Sequence, residues 1–136
     1  MDSFSEFDEI LGAEASDDYW SDELVVIARD VVTSLSDADW NTLNDTWRRR
    51  SGEWQERLAS VLSWVEPARA TPLLVTMIES EDDALSLAAA DSLGTIAAAV
   101  PASSLSPAAR ARLEAIAGKG RLNAMVVDNL LKRLIP

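Results

Sequence analysis

Ser80-Glu-Asp-Asp-Ala-Leu85-Ser-Leu-Ala-Ala-Ala-Asp-Ser-Leu-Gly-Thr-Ile96 is the stretch that decides the fold class. Ser80 and Asp83 have the spacing of a capping box, in which two side chains satisfy backbone N–H groups at a helix start. Leu85, Ala88, Ala89, Leu93, Ile96 and Ala97 then recur at helical intervals until Pro101. No segment of the chain alternates apolar and polar residues as a half-buried strand would.

The same signals repeat on both sides. Upstream, a helix opens at Ser21 or Asp22, with Leu24, Ile27, Ala28, Val31 and Leu35 as one apolar stripe. Ser36 and Asp39 form a capping box for a helix carrying Trp40, Leu43 and Trp47, which ends in Arg48, Arg49 and Arg50. Cations there suit the negative end of the helix dipole. Ser51 caps a helix with Trp54, Leu58, Val61, Leu62 and Val65, and Glu66-Pro67 stops it. Thr71-Pro72 starts a short helix through Leu73, Leu74, Met77 and Ile78, because proline at the first helical position has no N–H to lose. Downstream, Ser106-Pro107 repeats that start, Gly118 closes the helix, and a last helix carries Leu122, Val126, Leu130 and Leu134. Residues 1–20 are acidic with interleaved aromatics, either a short helix followed by a loop or a mobile arm. The expectation is an all-α chain of about seven helices forming one domain over residues 1–136. It divides into an acidic arm (1–20), N-terminal helices (21–50) and helical hairpins (51–136).

A shift of 31 residues maps Leu58, Ala59, Leu62 and Val65 onto Ala89, Ala90, Leu93 and Ile96. Each block precedes a proline-marked turn and a second helix, which suggests an α-solenoid whose units bury their apolar faces on one another. Leu85–Ile96 resembles the first helix of a HEAT-like repeat, with Ala89-Ala90, then Leu93-Gly94, then Ile96. Gly94 costs a helix about 1 kcal/mol relative to Ala, and close helix approach is the compensation. The segment Trp47-Arg-Arg-Arg-Ser-Gly-Glu-Trp-Gln-Glu-Arg-Leu58, followed by Pro72-Leu-Leu, resembles HEAT-like immunity proteins of bacterial polymorphic toxin systems. The likeness covers residues 40–100. Leu62-Ser63-Trp64 stands where Leu-Gly is expected, and nothing before Trp40 matches. The resemblance implies a short HEAT-like α-solenoid that binds a toxin in a bacterial cytoplasm.

Composition narrows the chemistry. The 136 residues contain no Cys and no His, which excludes disulfides, thiolate sites, the common nucleophile triads and histidine-ligated zinc or haem. The net charge is −11, and it is localised. Twelve acids and a single base, Arg29, occupy residues 1–39, while residues 40–136 are neutral. Such a field repels nucleic acid and anionic membranes and attracts cationic surfaces. The N-terminus lacks the basic and apolar regions of a signal peptide, and no apolar stretch is long enough to span a bilayer. These features predict a cytoplasmic protein.

Four features are candidate sites. Asp17, Asp18, Tyr19, Trp20, Asp22 and Glu23 combine clustered carboxylates with aromatic anchors and are the expected partner-binding residues; the same residues also suit a solvated helix start with Trp20 on the core. Trp40, Trp47 and Trp54 read mainly as core. Arg48-Arg49-Arg50 is either an anion grip or a dipole-compatible helix end, paired to the acidic arm. Glu79, Glu81, Asp82 and Asp83 offer oxygen ligands without the spacing of a calcium loop, and capping explains them better. No metal, cofactor or catalytic residue is expected. The sequence therefore predicts an immunity protein whose acidic surface occludes the active site or substrate groove of a cognate toxin with a basic surface, such as a nuclease. The alternative is a HEAT-like scaffold or adaptor; a carboxylate-dependent enzyme ranks third.

Overall fold

Side-chain caps set most of the helix starts. The computed structural model describes residues 2–136, and among them are eight helices and no strand. They are α1 (Ser3–Leu11), α2 (residues 17–32), α3 (Asp37–Thr46), α4 (Gly52–Val61), α5 (Pro67–Ile78), α6 (Asp83–Ile96), α7 (Pro107–Ala117) and α8 (Arg121–Arg133). The chain is all-α. The Ser36–Asp39 box is present in full, and Ser51 and Ser106 accept from the backbone N–H of Trp54 and Ala109 as expected. Gly118 is the C-cap of α7, and Gly120, at φ +154°, occupies a conformation that favours glycine before α8.

Three boundaries differ from the sequence reading. Ser16 Oγ accepts from the Tyr19 N–H, so α2 starts four residues before Ser21. α5 opens at Pro67 rather than Pro72, because Pro67 takes the N-terminal position and Glu66 is its N-cap; Pro72 lies inside the helix. Asp82, not Ser80, caps α6 by accepting from the Ala84 N–H, while Ser80 Oγ accepts from the Asp82 N–H. The eighth helix is α1. Phe7 and Leu11 are completely buried, so residues 2–16 form a helix and a loop docked on the protein.

α2 and the residues just after it keep Ala28, Val31 and Leu35 inward as expected but turn Ile27 outward. Residues Trp20–Leu24 form a π-helical turn, closed by the Val25 N–H donating to the Trp20 carbonyl. One extra residue in a turn rotates everything after it. Ala28 and Val32 are buried, with Trp20, Val25, Val31 and Leu35 packed beside them, whereas Ile27 faces solvent.

α6 is the hub, in contact with α4, α5, α7 and α8. Most of its inward residues are small: Ser86, Ala89, Ala90, Ser92 and Gly94 are buried beside Leu85 and Leu93. Ser92 Oγ donates to the Ala59 carbonyl on α4 at 2.6 Å, and Ser86 Oγ donates to the Ile78 carbonyl at 2.8 Å. On the opposite side, a Cβ built on Gly94 would lie 3.7 Å from Leu130 Cα of α8. Buried residues from Phe7 to Leu134 form one continuous cluster. The C-terminal end is pinned to the segment after α6, where the Ile135 N–H donates to the Val100 carbonyl and the Ala102 N–H to the Ile135 carbonyl.

All five tryptophans carry an arginine over the ring, at 3.5 to 5.7 Å from the centroid. About two such pairs would be ordinary for a chain of this length. Trp40, Trp47 and Trp54 are buried, each under an arginine that reaches the surface. For Trp40, Trp47 and Trp54 the pairing is one structural device: an aromatic body in the core with a cation sealing its open face.

Candidate functional site

The acidic N-terminal segment is fastened to α4 by two arginines. Asp8 on α1 accepts a bidentate pair from Arg50, with both N–O distances 2.9 Å, and a third bond from Trp54 Nε1 at 3.0 Å. The Asp8 contact raises the already high pKa of Arg50. This is the pairing of the basic triplet with the acidic arm; Arg49 stays exposed and Arg48 lies over Trp47.

Arg57 does more. Its side chain is almost wholly buried, and its guanidinium donates to the carbonyls of Leu11 (3.1 Å), Ala13 (2.8 Å) and Ala15 (3.3 Å) and to the carboxylate of Glu53. It also lies 4.9 Å from the Trp20 ring centroid. Carbonyls in a connecting loop need donors when they face protein. One planar group with five N–H donors serves three of them and holds the first turns of α2. Sequence reasoning missed Arg57, although the residue sits three places after Trp54 and four before Val61, on the inward stripe of its helix.

The six expected site residues are thereby ordered and divided. Asp17, Asp18, Tyr19, Asp22 and Glu23 are exposed, whereas Trp20 is half-buried beneath Arg57. Asp17 and Asp18 occupy the first turn of α2, where anions favour the dipole. Asp17 further faces the acids of α4 and of the α5–α6 turn. Burial pushes the Glu56 carboxyl above its ordinary range, and the charges of Asp82, Glu53 and Asp17 add to this. Asp17, Glu53, Glu56 and Asp82 thus stand close enough for their charges to act on one another. Glu56 carried little sequence signal, since Asp17 and Asp82 lie on other elements.

The acidic turn has structural duties. Asp82 is a cap, Glu79 accepts from Ser106 Oγ at 3.0 Å, and Asp83 pairs with Arg112 at 2.8 Å and Lys119 at 2.7 Å. Hydrogen bonds from those two cations hold the Asp83 carboxyl below its usual range. Among the described residues no three acids converge as a metal would require. Away from the acidic surface, a groove of about 470 Å³ runs between the start of α5 and residues 99–104, lined mainly by Pro67, Pro72, Val75, Val100 and Pro101. No helix of the described residues is long and apolar enough to cross a membrane. Comparison of the chain with protein-family models, with curated proteins and with solved structures finds no match.

Proposed function

We propose that the protein is a HEAT-like immunity protein that neutralises a cognate bacterial toxin in the cytoplasm by direct contact, without catalysis. The observation that carries this proposal is the exposed acidic face of α2, whose Asp18, Asp22, Glu23 and Asp30 pair with no cation among the described residues. Its acids are presented on a folded scaffold, and Arg29, the one cation among residues 1–39, lies 3.5 Å over the Trp64 ring. A fixed field of one sign accelerates encounter with the opposite sign and disfavours nucleic acid as a direct ligand. An enzyme that works on nucleic acid carries a basic substrate groove, so a nuclease is the partner that fits best. The seating of α6 between α4 and α8, with small residues at the contacts, supports a HEAT-like stack.

The test is titration of the purified protein with the product of the neighbouring gene, followed by size exclusion and a toxin activity assay. A stoichiometric complex that abolishes activity is expected. Absence of a complex at micromolar concentrations refutes the proposal and leaves a scaffold or adaptor role as the alternative.

A further inference from the structure

The solvent face of α2 is not what an acidic helix start requires. Asp18, Asp22, Val26 and Asp30 follow one another at four-residue intervals, and Tyr19, Glu23 and Ile27 form a second row beside them. All seven are exposed: Tyr19 by 54%, and Val26 and Ile27 by 47% each. The π-helical turn brings Trp20 into line with Val25, Ala28 and Val32 on the inward side, and Ile27 stays outside. Helix stability accounts for Asp18 but not for the rest. Asp30 lies in the last turn, where the dipole disfavours an anion, and Val26 and Ile27 are weaker helix formers than Ala or Leu. Among the described residues none of the four acids pairs with a cation.

We propose that this face is a docking ridge for an apolar groove edged with Lys or Arg on a protein partner. Tyr19, Val26 and Ile27 enter the groove, and Asp18, Asp22, Glu23 and Asp30 meet the cations on its rim. The inference rests on the protein-binding function proposed above and extends the contact beyond residues 17–23. It also removes Trp20, which is committed to Arg57. An apolar centre with a charged rim is the usual anatomy of a protein interface, and an amphipathic helix in a groove is a recurring way to form one. Charge selects the occupant. A second copy of the ridge would set four acids against four, whereas a basic rim neutralises them.

The test uses two synthetic helical peptides with Leu at heptad core positions, one with Lys and the other with Glu at the remaining positions. Each is titrated into the ¹⁵N-labelled full chain at low salt. The Lys peptide is expected to shift the amides of Tyr19, Val26 and Ile27, and the Glu peptide to shift none. Val26→Ser with Ile27→Ser should weaken the Lys peptide roughly tenfold without moving the melt. Asp22→Asn with Asp30→Asn should flatten the salt dependence. Shifts that map to Glu53, Glu56 and Asp82, or to the exposed Leu122 and Met125 of α8, overturn the ridge. So does unchanged affinity in the serine variant, or a dimer formed through this face. A toxin complex as tight in the serine variant as in the parent overturns the ridge and leaves the immunity function standing. Peptide docking at the ridge without any toxin complex does the reverse.

Discussion

Gly94 is the position where replacing hydrogen by carbon reports most directly on how α6 meets α8. A Cβ there would stand 3.2 Å from Asn129 Nδ2, 3.7 Å from Leu130 Cα and 3.8 Å from Leu130 Cβ. The first contact is the end of an exposed, flexible side chain that can swing away; the other two are ordinary van der Waals distances. Gly94→Ala therefore gains up to about 1 kcal/mol of helix propensity against a small rearrangement, and should be neutral to slightly stabilising. Gly94→Leu gains similar propensity, but its further carbons must enter space held by Leu130. α8 has little room to retreat: Leu130 is fully buried, Leu134 is buried, and Ile135 is hydrogen-bonded to Val100 and Ala102. Overpacking of that kind costs roughly 1–3 kcal/mol, or about 3–10 °C in a domain of this size. Urea unfolding followed at 222 nm, with Thr95→Leu as an exposed control on the same helix, separates packing from propensity. If Gly94→Leu proves as stable as Gly94→Ala, the α6–α8 crossing is looser than the geometry states and the close-packing argument fails.

Arg57→Met should lower stability by roughly 2–4 kcal/mol, because buried loop carbonyls lose charge-assisted donors; a change in Trp20 fluorescence should accompany it, and an unaltered melt would refute the clamp. The two perturbed carboxyls predict opposite pH behaviour. Glu56 has a raised folded pKa, so Glu56→Gln should stabilise at pH 7, with the gain vanishing below the ordinary carboxylate range. Asp83 has a lowered folded pKa, so its contribution is present above about 3.8 and is lost as pH falls below that; Asp83→Asn should be destabilising at pH 7 and silent in acid. Melts of each variant at pH 3 and pH 7 check both signs. Changing Asp17, Asp18, Asp22 and Glu23 to Asn or Gln should leave the fold intact, because exposed, mutually repelling charges contribute little to stability. It should slow association with a basic partner roughly tenfold at low salt in stopped-flow kinetics, and unchanged, salt-insensitive rates would reduce the acidic segment to a solubility feature.

Where local chemistry decides an element, the sequence was a sufficient guide. Ser36, Ser51, Ser106 and Gly118 act within one turn of themselves, and their helices begin or end accordingly. The small residues of α6 likewise announced a crowded helix. What escaped was set partly by contacts distant in the chain and partly by neighbouring caps, where Ser16 and Asp82 act in place of Ser21 and Ser80. Pro67 and Pro72 both suit a helix start, and the helix opens at the earlier one. The periodicity of residues 24–35 placed Ile27 inward, whereas packing of the whole helix leaves Ile27 exposed and buries Val32. Arg57 has the composition of a surface residue and the environment of a core one, because the carbonyls it serves lie 42 to 46 residues away.

Arg57 also explains how a chain can afford so much unpaired acid at one end. Residues 1–39 repel one another, and a segment with that charge density would not fold alone. Its fixation comes from the neutral remainder of the chain. Among the described residues Asp8 is given up to a bidentate partner and Asp37 to Arg69, Phe7 and Leu11 insert into the core, and Arg57 binds carbonyl oxygens rather than the exposed acids of α2. A scaffold that anchored α2 by salt bridges to Asp18, Asp22, Glu23 or Asp30 would have neutralised the field it presents. Anchoring through backbone and aromatic ring instead leaves those charges available. The division of labour between clamped backbone and free carboxylates leaves the exposed face of α2 free for the recognition proposed above.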